Sequence, residues 1–227
     1  MSVAAGAAPT RRSLISQEMY ELVFGTVYTG LMTNLLLVVG CLPAVLLVVA
    51  TDLAVTWPVL ALTAPLVAPA LTAAFAVFAA YRDGSTTVVR TFVQAWRLHV
   101  RRSLAIGALA TGVVVVTGVD VAFFWGRTAG AVAIPVLVTL MAGALVTAVL
   151  ALAAVPELPG ARLRDLLRAA LFLGVRRWYL SVGSLVVLGL LAGVVGTRPA
   201  VGLGFVAAPL LYVVWANARF ALGPVVH

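Results

Sequence analysis

The chain has 227 residues, of which 63% are hydrophobic and only 10% charged, with a net charge of +8 and a mean hydropathy of +1.16. A soluble domain carries about 25% charged and about 45–50% apolar residues, so this composition excludes a water-soluble core and points to a polytopic membrane protein. All 15 basic residues are Arg, dispersed between apolar runs. That leaves no soluble basic face for nucleic acid and makes anionic lipid headgroups the natural counter-charge.

Residues 1–25 read as a cytoplasmic tail and interfacial helix. Thr10-Arg11-Arg12-Ser13 superficially matches a twin-arginine export signal, but Glu18 and Glu21 interrupt it and the apolar run that follows is too long. Ile15, Met19, Leu22 and Val23 lie at helical spacing and predict an amphipathic lead-in over 13–24. The first span follows at about 26–50, with Asn34 inside it and Pro43 two-thirds along. Thr51-Asp52 and Trp57-Pro58 mark a turn. The second span, about 58–81, holds Pro65 and Pro69 one helical turn apart. Prolines remove ladder bonds, so kinks are expected at Pro43, Pro65 and Pro69, and span two is expected to pack its proline face against protein rather than lipid.

Arg82-Asp83-Gly84 ends that span, and 85–100 predicts a surface helix in the membrane plane. Val88, Phe92, Trp96 and His99 form one stripe, and Arg90, Gln94, Arg97 and Arg101 another. Span three covers about 103–125, Gly126-Arg127 turns the chain, and span four covers about 129–155. Pro156-Glu157-Leu158-Pro159-Gly160 is a strong breaker. A second amphipathic helix over 161–174 sets Leu163, Leu166, Leu167 and Ala170 against Arg164, Asp165 and Arg168. Spans five, about 178–195, and six, about 200–218, flank an Arg198-Pro199 turn. The expected fold is thus a single all-α integral-membrane domain over 1–227, with six spans and two amphipathic surface helices.

Orientation follows from the arginines. With the N-terminus inside, the inner segments carry Arg11 and Arg12, then Arg82, Arg90, Arg97, Arg101 and Arg102, then Arg162, Arg164, Arg168, Arg176 and Arg177, and finally Arg219. Only Arg127 and Arg198 fall outside, which selects both termini in the cytoplasm. Val100-Arg101-Arg102-Ser103-Leu104 and Val175-Arg176-Arg177-Trp178-Tyr179 each join an inner helix to an outward span, a hint of an internal repeat.

The chemistry-bearing residues are sparse. The seven acids fall at predicted ends, turns or interfacial helices, and His99 and His227 have no partner at ligand spacing. Cys41 stands alone. Neither an enzyme, a metal site nor a cofactor is expected. Asn34 and Asn217 are the candidate intramembrane polar contacts, with Thr63 and Thr72 near the span-two prolines. Trp96 with Arg90, Arg97, Arg101 and Arg102, and Arg168, Arg176 and Arg177 beside Trp178, form the candidate docking or anionic-lipid surface. Aromatic anchoring with snorkelling arginines is the plainer account of the same pattern.

Three passages resemble the YesL-like family of bacterial membrane proteins. They are Asn34-Leu35-Leu36-Leu37 leading to Cys41-Leu42-Pro43, Ala68-Pro69-Ala70-Leu71-Thr72-Ala73-Ala74-Phe75, and Thr91-Phe92-Val93-Gln94-Ala95-Trp96. The chain differs in the length between Pro43 and Pro69 and in using Arg where the family uses Lys. The resemblance implies about six helices and an association with carbohydrate uptake by ATP-binding-cassette transporters. The sequence-level expectation is therefore a non-catalytic accessory or regulatory protein of the bacterial inner membrane, with a membrane transporter as partner. The alternative is a small transporter or channel in its own right. Nothing in the sequence sets the oligomeric state.

Overall fold

A computed structural model describes residues 11–226, with side-chain surroundings for 23–52 and 55–223; the expected cytoplasmic tail over 1–10 lies outside the described residues. The elements are α1 (Arg11–Gly40), α2 (Leu42–Ala50), α3 (Leu53–Thr63), α4 (Val67–Arg82), α5 (Val88–Phe124) and α6 (Gly130–Ala154). They continue with α7 (Leu163–Arg176), α8 (Trp178–Thr197), the short α9 (Pro199–Val201) and α10 (Ala207–Val226). No strand occurs among the described residues. Six stretches are long and apolar enough to cross a bilayer: Val23–Gly40, Val55–Arg82, Val88–Phe124, Gly130–Ala154, Trp178–Thr197 and Pro199–Gly223. The protein is an all-α polytopic membrane helix bundle.

Several boundaries differ from the sequence expectation. The amphipathic lead-in over 13–24 is continuous with span one in α1. The surface helix expected over 85–100 is likewise fused to span three, giving one unbroken helix of 37 residues. At 1.5 Å per residue that is about 55 Å of helix, far more than a core of about 30 Å needs. Val100-Arg101-Arg102-Ser103 contains no Gly or Pro, so the hydrogen-bond ladder can run through it. Trp57-Pro58 is not a turn; Pro58 lies inside α3, and the chain reverses at Thr51-Asp52 alone. The second surface helix is a separate element, α7, divided from α8 at Arg177.

Two of the three prolines stand where a helix is interrupted. Pro43 opens α2 directly after the chain leaves helical geometry at Cys41. Pro65 sits in a tight 3-10 turn, Ala64–Leu66, that breaks span two into α3 and α4. Pro69 lies in the first turn of α4, where a missing N–H costs least, and makes no separate kink.

In lipid there is no hydrophobic drive between helices, so close approach of small side chains must do the packing. The most enclosed helix is α4, whose residues Ala68, Pro69, Ala70, Thr72, Ala73, Ala74, Phe75, Val77 and Phe78 are all buried. The end of α6 is buried on every side from Leu150 to Ala154. Between α4 and α10, the Phe78 ring meets Tyr212 edge-on at 5.5 Å and Trp215 at 6.1 Å. Two glycines end elements in left-handed geometry, Gly84 (φ +87) after α4 and Gly126 (φ +77) after α5.

Gly107 permits the closest approach that shapes the core. A Cβ there would stand 2.7 Å from Ala68 Cβ and 3.0 Å from the Pro65 carbonyl oxygen. Glycine thus lets α5 lie directly against the broken turn of span two. Gly107→Leu should lower stability by about 1–3 kcal/mol through overpacking, read as a reduced Tm in detergent. Gly112→Leu, where a Cβ meets nothing within 4 Å, should change it little.

Candidate functional site: the arginine-bearing end and the sealed interior

Contacts far apart in sequence gather the segments assigned to the inner side at one end of the bundle. Arg102 of α5 donates Nη1 to the Pro159 carbonyl at 2.5 Å. Arg219 of α10 lies 3.4 Å from Glu157 in the loop after α6. Arg177 donates to the Phe220 carbonyl, and the Tyr81 hydroxyl at the end of α4 meets Thr26 Oγ1 of α1 at 2.7 Å. Arg127, between α5 and α6, instead stacks on Phe123, 3.8 Å from the ring centroid, and makes no ion pair with Asp120.

The structure divides the candidate arginines into two groups. Arg102 and Arg177, expected on the docking surface, are partly buried and turned onto backbone carbonyls of other segments, so they hold the fold. Arg90, Arg97, Arg101, Arg168 and Arg176 are exposed and have no acidic partner among the described residues. Trp96 is 38% exposed, so it rims the packed face and does not anchor it.

The first four turns of α5 carry three faces, one more than the stripe pattern suggested. At about 100° per residue, Val88, Phe92, Ala95, His99 and Ser103 share one face, and all five are buried. His99, expected at the interface, is therefore part of the packed face. Val89, Val93, Trp96 and Val100 occupy a second, apolar sector that is exposed or half-exposed. Arg90, Gln94, Arg97 and Arg101 occupy a third, fully exposed one. A helix with protein on one flank, lipid on another and water on the last needs this partition. On α7 Leu166, Ala170, Leu173 and Gly174 form one buried face, and exposed Arg176 stands in the last turn. Arg164, Asp165 and Arg168 stand at its start, and the exposed Leu171, Phe172 and Val175 stand towards its end.

At membrane depth most polar groups are hydrogen-bonded within the bundle, the buried Thr33 hydroxyl being an exception. In span six a wide turn over Gly202–Val206 gives Ala207 N–H an i–5 partner, the Gly202 carbonyl. An α-helical ladder would next pair Ala208 N–H with the Gly204 carbonyl. Asn34 sits between them: its Nδ2 donates to Gly204 O at 3.0 Å, and its Oδ1 accepts from Ala208 N at 2.6 Å. Its side chain is 2% exposed. Ser103 Oγ donates to Thr72 Oγ1 at 2.8 Å, and both are 0% exposed. Thr63 Oγ1 folds back onto Val59 and Leu60 carbonyls. Asn217 Nδ2 reaches Ser184 Oγ at 3.4 Å beside a cavity of about 10 Å³, room for one water at most.

Glu157 is the residue that sequence reasoning undervalued. Read as part of a breaker, it proves 11% exposed, with its carboxylate near Arg219 and no hydrogen-bond donor on either oxygen. Its position between two prolines was a signal, since Pro156-Glu157-Leu158-Pro159 holds the backbone rigid and aims the side chain. Among the described residues, no three His, Cys, Asp or Glu side chains gather as metal ligands.

Asn34→Leu should cost about 1–2 kcal/mol of stability in detergent, because two backbone groups in span six lose their partner. Asn34→Asp should cost more, since it places a carboxyl at membrane depth and loses the donor. Asn217→Ala, losing one long bond, should cost less than either, giving a rank order readable from denaturation midpoints.

No family model matches the chain, and no curated protein or solved structure matches it either.

Proposed function

We propose that this protein is a non-catalytic accessory or regulatory component of solute uptake in the bacterial inner membrane. It docks a membrane transporter through the exposed arginine sector of α5 and the arginines of α7. The observation that carries this reading is the alignment of Arg90, Arg97 and Arg101 on one exposed sector, without acidic partners among the described residues, while Arg102 and Arg177 are turned onto backbone carbonyls. Guanidinium groups left unpaired on an ordered helix form a preset array of forked donors for acidic side chains of a partner. The resemblance of Asn34–Pro43, Ala68–Phe75 and Thr91–Trp96 to the YesL-like family supports carbohydrate as the solute class.

The positive-inside rule places the arginine-bearing end in the cytoplasm, where the energy-coupling parts of an uptake system are reached. The alternative, a transporter or channel in its own right, requires a hydrated path through polar groups at depth. Asn34 and Thr72 are sealed and hydrogen-bonded, which favours the accessory reading.

Two measurements test it. In a Cys41→Ala background, Arg97→Cys and Arg168→Cys should react with an impermeant thiol reagent only after the cells are opened. Arg127→Cys and Arg198→Cys should react in intact cells. Charge reversal at Arg90, Arg97 and Arg101 together should reduce co-purification of a transporter component at least tenfold, with the Tm unchanged. Undiminished co-purification would refute the docking reading.

A further inference from the structure

Three arginines from separate parts of the chain line one basin at the arginine-bearing end. They are Arg82 at the end of α4, Arg177 between α7 and α8, and Arg219 on α10. The basin has a volume of about 590 Å³ and is walled by Tyr212, Trp215 and Phe220. Each guanidinium is held from one side. Arg82 donates Nε and Nη2 to Asp83 Oδ1 at 3.1 and 2.8 Å. Arg177 donates to the Phe220 carbonyl and lies 5.0 Å from the centroid of that ring. Arg219 lies 3.4 Å from Glu157 Oε1 and 5.7 Å from the Trp215 centroid.

A guanidinium carries five N–H donors, so these contacts leave most donors unspent. Charge points the same way. Asp83 and Glu157 offset Arg82 and Arg219, whereas Arg177 has no acidic partner among the described residues, so the basin stays positive. Its surroundings identify the side from which a ligand comes. Trp178, Tyr179 and Phe220 are 67%, 55% and 64% exposed. Large exposed aromatics flanking arginines on membrane helices mark the lipid–water boundary.

The geometry points to a binding site for the phosphate of an anionic membrane phospholipid, with Arg177 as the central donor, Arg82 and Arg219 flanking it, and Tyr212 and Phe220 against the lipid's apolar part. A zwitterionic lipid brings a cation that a positive basin repels. A soluble phosphate leaves the aromatic wall uncovered. The site uses none of the α5 arginines assigned to docking, so it stands or fails separately from that reading.

The test is native mass spectrometry of the full chain in mild detergent. The protein is titrated with phosphatidylglycerol, with phosphatidylcholine of the same acyl chains, and with glycerol phosphate as the free headgroup. The expected result is one phosphatidylglycerol adduct at concentrations where phosphatidylcholine gives none and equimolar glycerol phosphate does not compete. Arg177→Gln should weaken that adduct about tenfold and Arg82→Gln about fivefold, with Arg127→Gln at the opposite end neutral. Arg82 is hydrogen-bonded only to its neighbour Asp83, so its variant tests the site even where Arg177→Gln fails to fold. Equal retention of phosphatidylcholine, or unchanged binding by Arg82→Gln, overturns the proposal. So does competition by glycerol phosphate, which would reassign the basin to a soluble organic phosphate.

Discussion

Backbone groups inside a bilayer have no water to turn to, so each one a helix fails to pair must be paired by another part of the protein. This chain breaks its own ladders repeatedly: at Cys41-Pro43 in span one, at Ala64–Leu66 in span two and at Gly202–Val206 in span six. The rest of the architecture is arranged around those breaks. Asn34 crosses from α1 to occupy the gap in span six, supplying the donor and the acceptor that the wide turn leaves over. Gly107 brings α5 against the break in span two, where any larger residue would collide with Pro65 and Ala68. Threonines elsewhere in the spans return their hydroxyls to carbonyls one turn back, as Thr117, Thr139 and Thr147 do. Several polar side chains of the interior thereby secure helix breaks, while the Thr33 hydroxyl, fully buried beside Asn34, has no hydrogen-bond partner.

Much of the fold was legible because hydropathy and arginine placement are long, redundant signals. The six spans, the kinks at Pro43 and Pro65 and the breaker at Pro156–Gly160 all follow from residues acting locally. Less legible was the difference between the two Arg-rich junctions. Neither Val100-Arg101-Arg102-Ser103 nor Val175-Arg176-Arg177-Trp178 contains a breaker, yet α5 runs through the first and the chain bends at the second. The second bend is secured by contacts from a distance. Ser181 Oγ bonds the Gly174 carbonyl at 2.8 Å, and Arg177 reaches across to Phe220, 43 residues away. Such partners cannot be read from a window of neighbours. The same holds for Asn34, whose partners lie about 170 residues downstream, although Gly202, Gly204 and Pro209 in one span did signal a weak ladder.

The arginine-bearing end shows why a count of charges is not a map of a surface. Charge bias concerns insertion, and it treats Arg102, Arg177 and Arg219 like Arg90 or Arg97. Once the helices pack, the first three become cross-braces between loops and spans. Burial and hydrogen bonding, which depend on helix rotation, separate the two sets. On α5 Val88, Phe92 and His99 are buried as their spacing predicts, and Trp96 is the one member of that stripe left at its rim. Ala95, and not Trp96, completes the buried stripe, because a small residue admits the helix to its neighbour where an indole would hold it away.

The apparent repeat is instructive for the same reason. In both halves a span rich in buried alanine, α4 or α6, ends near the arginines and is followed by an amphipathic Arg-bearing helix. The first such helix continues straight into its span and the second does not, so the halves agree in layering without agreeing in backbone path. A shared physical need accounts for the agreement. Ala70, Ala73 and Ala74 in the middle of span two, and Ala151, Ala153 and Ala154 at the end of α6, are buried almost completely. Small side chains leave the surface of a helix shallow, and at the end of α6 that surface adjoins the loop that leads to the α7 arginines. A segment with one apolar flank and one arginine flank covers the alanines and faces the headgroups at once. Any chain with two such central spans must supply two such covers, whether or not they descend from one copied segment.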